Sequence, residues 1–153
     1  MNRKSILLVE DNPQDEMLIL RALKKINLAN TVAVARDGQQ AVDYLFGEGE
    51  FAAQAGQELP TVVLLDIGLP RLSGLEVLER LRDDPRTRLL PIVILTSSDE
   101  ERDRLTSYES GANSFVRKPL DFGEFAETVA RLGVYWLATN EGPRGYRGNG
   151  DHP

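Results

Sequence analysis

Five short apolar runs recur along the chain, and helical spacing follows each of them. The runs occupy residues 5–9, 31–35, 61–65, 91–95 and 114–116. They are dense in Val, Ile and Leu, as strands are when both faces of their sheet are covered. Between them, apolar residues fall three and four apart. Leu18, Ile19, Ala22, Leu23 and Ile26 share one helical face behind Pro13, with Asn12 placed to cap. Asp37 is placed to cap a short helix carrying Ala41, Val42 and Leu45. Gly74 opens a third, with Leu75, Leu78 and Leu81 inward. Ser97 or Ser98 would cap a fourth, over 98–110, that stops at Gly111. Asp121 would cap a fifth, with Phe122, Phe125, Val129 and Leu132 along its stripe. Alternation repeated five times implies an α/β fold: a doubly wound parallel five-stranded sheet with right-handed crossovers and helices on both faces.

At 153 residues the chain suffices for one domain with its own core. Residues 47–60 form a long Gly- and Ala-rich connection, expected to be mobile. Residues 140–153 are rich in Gly, Pro and Arg and are expected to be a disordered tail. No cysteine is present, which removes disulfides, thiol nucleophiles and Cys-ligated metals. The single histidine, His152, sits in the expected tail, which argues against a His-based metal site or a Ser-His-Asp triad. A net charge of -6 disfavours nucleic acid as a partner. No apolar run is long enough for a membrane span or a leader, so no membrane association and a cytoplasmic location are expected.

In an open parallel sheet, ligands bind beyond the carboxyl ends of the strands, where strand order reverses. The first run ends at Glu10 and Asp11, the third at Asp66, the fourth at Thr96 and Ser97, the fifth at Arg117, Lys118 and Pro119. Three carboxylates converging in one crevice repel each other unless one is protonated or a cation neutralises them. Mg²⁺ suits such a set, because it takes a couple of carboxylates, keeps several waters and leaves a place for a phosphate oxygen. A carboxylate beside that ion and a lysine ammonium is a nucleophile for phosphoryl groups, giving an acyl phosphate. Thr96 and Lys118 are the groups that could meet the phosphoryl oxygens. Each residue alone has a plainer reading, since an Asp at a strand end commonly caps a helix and Lys-Pro commonly ends a strand. It is their joint placement at the ends of four strands that favours chemistry.

The segments ILLVEDN (6–12), VVLLDIGLP (62–70), IVILTSS (92–98) and NSFVRKP (113–119) resemble the receiver domain of bacterial response regulators. The likeness spans nearly the whole chain and implies a receiver domain over 3–139. It implies the flavodoxin-like (βα)5 arrangement with strand order 2-1-3-4-5, an order that alternation alone does not fix. It implies that Asp66 is the phosphoacceptor. Asp11, Asp66 and the Gly68 backbone carbonyl would bind Mg²⁺, with Glu10 acting mainly through water. Thr96 would be the hydroxyl switch, Lys118 the phosphate-sensing lysine, and Phe115 the aromatic switch. The peptide bond between Lys118 and Pro119 would be cis. The long loop, the 84–98 stretch and the GVYWL ending (133–137) are similar to single-domain regulators that partner phytochrome-type sensor histidine kinases.

Glu10 stands where Asp is commoner. Gly68 and Ser98, two residues after Asp66 and Thr96, are short, so water is expected to reach an acyl phosphate at Asp66 easily. Phe115 lacks the hydroxyl of a tyrosine, which favours an inward ring. The fourth helix has few apolar anchors, chiefly Leu105 and Tyr108, and a Glu100–Arg104 pair is expected on it. It is a candidate for movement on phosphorylation. Surplus aromatic surface near the fifth helix suggests a homodimer through helix 4, strand 5 and helix 5. Two other functions compete with the phosphorelay receiver. A phosphorylation-independent adaptor would lack Asp66 or Lys118, and both are present. A Mg²⁺-dependent phosphatase would carry an Asp acid/base at position 68, where this chain has Gly.

Overall fold

A computed structural model describes residues 4–28, 31–54, 56 and 58–143. Five strands, β1 (Ser5–Val9), β2 (Thr31–Ala35), β3 (Val62–Leu65), β4 (Ile92–Thr96) and β5 (Ser114–Arg117), form one sheet in the order β2-β1-β3-β4-β5. Every pairing is parallel. Four α-helices connect them, α1 (Pro13–Ile26), α2 (Gly38–Phe46), α3 (Gly74–Asp83) and α4 (Glu101–Glu109), and α5 (Phe122–Val134) follows β5.

The unbroken apolar runs are explained by two cores, one on each face of the sheet. Successive strand side chains point to opposite faces. Leu7, Val9, Val63, Leu65, Ile92 and Ile94 therefore join Val42, Leu78 and Leu81 of α2 and α3. Their neighbours Ile6, Leu8, Val62, Leu64, Val93 and Leu95 join Ile19, Leu23, Phe125 and Val129 of α1 and α5. Burying one such Leu fully is worth about 1.5–3 kcal/mol. Gly133 allows α5 to pack on α1, since a Cβ there would stand 2.5 Å from the Ile26 side chain.

The caps explain most helix starts. Asn12 Oδ1 accepts from the amides of Gln14 (2.9 Å) and Asp15 (3.0 Å), with Pro13 as the first helical residue. Asp37 accepts from the Gln40 amide and Asp121 from the Glu124 amide. At α3 the cap is Ser73, which forms a reciprocal box with Glu76, and Gly74 follows it.

Several expectations need correction. The fourth helix begins at Glu101, not at either serine, and has no side-chain cap. Its expected anchors face outward, Leu105 being 59% exposed and Tyr108 49%, and the one residue it buries is Ser107. Arg104 pairs with Glu101 at 3.3 Å rather than Glu100, because Glu100 has extended dihedrals and lies outside the helix. Phe122, the first residue of α5, is 67% exposed, so the buried stripe starts one turn later at Phe125. The long connection is partly ordered as a 3-10 segment, Gly49–Gln54, where Phe51 packs edge-on against Tyr44 at 5.3 Å. The bond between Lys118 and Pro119 is trans. Trans is the intrinsically favoured isomer of an X-Pro bond. Residues 144–153, including His152, lie outside the described residues, as does most of the expected tail.

Candidate phosphoacceptor site

The carboxyl ends of β1, β3 and β4 and the residue after β5 open onto one cleft of about 690 Å³. Its lining includes Glu10, Asp11, Asp15, Asp66, Asp99, Glu100 and Asp103, with Thr96, Ser98 and Lys118. Among the described residues, seven carboxylates thus share the cleft with one lysine. The order β2-β1-β3 places the strand-order reversal between β1 and β3, beside Glu10, Asp11 and Asp66.

Asp66 is held from both sides. Its Oδ1 accepts from the Thr96 hydroxyl at 3.0 Å and from the Gly68 amide at 3.1 Å. Its Oδ2 accepts from Lys118 Nζ at 3.0 Å. Gly74 permits this loop, because a Cβ there would lie 2.1 Å from the Asp66 carbonyl oxygen. Lys118 is only 7% exposed and also donates to Glu10 Oε1 at 2.7 Å and Asp15 Oδ2 at 2.8 Å. Burial alone would lower its proton affinity. The bonds from Asp15 and Glu10 and the charges of Asp66 and Glu10 outweigh that, and the ammonium is held well above its usual range. Glu10, 1% exposed, is pushed up chiefly by burial, and the negative charge of Asp66 adds to this while Lys118 opposes it.

Oxygens of Glu10, Asp11 and Asp66 lie within 4.8 Å of one another, a set able to hold a divalent cation. Both Glu10 oxygens are already engaged, Oε1 by Lys118 and Oε2 by the Asn12 amide at 3.1 Å. Asp11 is exposed at the cleft mouth. The fit is to a cation that takes few carboxylates and keeps water. Gly68 has open space on its side-chain side, where the sole close neighbour of a Cβ would be Asp66 Oδ1 at 4.0 Å.

The residues expected from sequence therefore converge: Glu10, Asp11, Asp66, Gly68, Thr96 and Lys118. Phe115 does not enter the cleft. Its ring is half-buried against the α2–α3 core, with the Arg104 guanidinium 5.9 Å from its centroid. Two participants were not expected. Asp15 was hidden as an ordinary first-turn acid of α1, and it enters the site by accepting from Lys118 Nζ. Asp103 accepts from the Ser98 hydroxyl at 2.6 Å, and the Ser98 amide donates to Thr96 Oγ1 at 3.3 Å.

Fold and cleft together define a doubly wound α/β protein with an acidic, cation-suited pocket around one lysine-bonded aspartate. Residues 6–130 match the response regulator receiver domain, and the chain belongs to that family. It is 40% identical over 139 residues to the probable methanogenesis regulatory protein FilR2 of Methanothrix harundinacea, covering 90% of this chain and 86% of that one. Among solved structures it resembles the phosphorylated cyanobacterial phytochrome response regulator RcpA, with 35% identity and a TM-score of 0.86, covering 92% of this chain and 99% of RcpA. The bacteriophytochrome response regulator AtBRR is 49% identical with a TM-score of 0.72, covering 92% and 100%. Rcp1 from Synechocystis, solved in a Mn²⁺-bound form, is 33% identical with a TM-score of 0.84, covering 92% and 99%. Among the described residues, no helix is long and apolar enough to cross a membrane.

Proposed function

We propose that Asp66 accepts a phosphoryl group from the phosphohistidine of a sensor histidine kinase, of the phytochrome type. The observation that carries this reading is that the two Asp66 oxygens are addressed separately, one by Thr96 and Gly68, the other by Lys118. In the transfer, an Asp66 carboxylate oxygen forms an O–P bond as the N–P bond breaks. The electron pair returns to the imidazole nitrogen. Lys118 and Thr96 donate to the phosphoryl oxygens as charge shifts.

Asp11, Asp66 and the Gly68 carbonyl would hold Mg²⁺, with Glu10 acting mainly through water. When bound, the ion offsets the mutual repulsion of carboxylates and phosphoryl oxygens. The phytochrome partnership is supported by likeness to RcpA and AtBRR over nearly their full lengths. Output runs through Thr96, α4 and Phe115, and a homodimer forms through α4, β5 and α5. The exposed Leu105 and Tyr108 of α4 and Val134 of α5 support that reading.

The test is Mg²⁺-dependent labelling by acetyl phosphate, comparing the parent with Asp66→Asn. Label confined to the parent is expected, and equal incorporation in both would assign the site wrongly.

A further inference from the structure

Lys118 has three N–H donors, and all three are taken by carboxylates: Glu10 at 2.7 Å, Asp15 at 2.8 Å and Asp66 at 3.0 Å. A phosphoryl oxygen can gain this ammonium only if one of them lets go. The three are not equally free to do so. Glu10 has a side chain 2% exposed, so releasing Lys118 would leave a buried carboxylate without its counter-charge. Asp66 is the acceptor itself, with a side chain 12% exposed. Asp15 has a side chain 23% exposed at the cleft edge, where water can replace the lysine. Its backbone is fixed, because the Asp15 amide donates to Asn12 Oδ1. Only its side chain needs to turn.

We infer that Asp15 is a positioning residue that holds Lys118 in reserve and surrenders it when a phosphoryl group arrives. It acts through Lys118 and does not touch the reacting atoms. Because it competes with the incoming oxygens, it slows phosphorylation of the resting protein. This inference rests on Asp66 being the phosphoacceptor.

The test compares Asp15→Asn with Glu100→Gln. Glu100 lines the same cleft and is exposed, so its substitution removes the same charge without touching Lys118. With acetyl phosphate and Mg²⁺, Asp15→Asn should be labelled about three- to tenfold faster, the size expected when a charge-assisted hydrogen bond gives way to a neutral one of about half its strength. Glu100→Gln should change the rate by less than about twofold, as an exposed charge does. Asp15→Glu should return the rate toward that of the parent. A second readout needs no phosphorylation: in metal-free protein, the ¹⁵N signal of the Lys118 ammonium should exchange with water faster in Asp15→Asn than in the parent or Glu100→Gln. Absence of Asp66-dependent label in the parent would defeat the underlying reading. Label in the parent, with Asp15→Asn matching Glu100→Gln or slower, would defeat this inference alone.

Discussion

Replacing Lys118 by Met should cost stability in a way that a divalent cation repairs. Met keeps most of the buried stem, so the cavity left behind is small. What changes is the charge balance. Glu10, 1% exposed, keeps the Asn12 amide and loses its ammonium, while Asp66 and Asp15 lose theirs beside it. Breaking a buried ion pair on one side costs about 3–5 kcal/mol. Glu10 has an escape, however, because it can take up a proton. Protonating a carboxyl of ordinary pKa 4.5 at pH 7 costs about 3.4 kcal/mol, at 1.36 kcal/mol per pH unit. That escape caps the charge penalty, so a loss of about 3 kcal/mol is expected at pH 7 without metal. For a chain of this size it lowers Tm by roughly 6–12 °C.

The sign with pH follows from the direction in which Glu10 is displaced. Its folded-state pKa lies above the unfolded value, so the proton it binds stabilises the fold fully below about 4.5 and less as pH rises through the folded value. Lys118 opposes that displacement in the parent, so its removal raises Glu10 further, and the deficit of the variant should shrink by up to about 1.4 kcal/mol per unit as pH falls from 7 toward 5. The assay is urea unfolding with EDTA across that range, repeated with Mg²⁺. Lys118 and the cation neutralise the same carboxylates, so their binding is coupled and the coupling is reciprocal. Mg²⁺ should stabilise Lys118→Met more than the parent. Equal Mg²⁺ increments in the two proteins, or a deficit that grows on acidification, would refute the reasoning.

Two further outcomes are expected. Gly68→Asn should lengthen the lifetime of the acyl phosphate, because open space beside Asp66 Oδ1 can take a shielding side chain; phosphate release after donor removal measures it, and an unchanged lifetime would remove the idea. Ser98→Ala should accelerate amide hydrogen exchange in the first turn of α4 several-fold in the unphosphorylated protein, as loss of a hydrogen bond worth about 1 kcal/mol does. Its hydroxyl accepts from the Glu100 amide at 3.3 Å and donates to Asp103, in place of a cap. Asp103→Ala should do the same, and unchanged exchange in either variant would show that the helix is held by something else.

The sheet and the main site were legible because both are written locally. A strand covered on two faces must be apolar throughout, so residues 6–9, 62–65 and 92–95 declare themselves without knowledge of their neighbours. The polar residue that ends each run then falls at the one edge where ligands bind. Asn12, Asp37 and Asp121 were equally readable, since a cap needs only its own amides two or three residues on.

What escaped reading depends on contacts between elements. Nothing in the spacing of α4 says that Leu105 and Tyr108 face water, because a helix that buries little but Ser107 has no periodicity to read. Nothing local distinguishes Asp15 from Glu16. Both are first-turn acids of α1, yet Glu16 pairs with exposed Arg36 at the surface while Asp15 meets Lys118 across 103 residues of chain. The same distinction separates the parts by role. Residues legible from sequence build the centre of the pocket, around Asp66 and Lys118. Asp15, Ser98 and Asp103 line the same pocket, are half-buried, and are joined to it by side-chain bonds between separate elements or turns. For the phosphoryl exchange proposed at Asp66, contacts that must adjust belong among these part-exposed, sequence-silent pairs rather than in the buried strand ends.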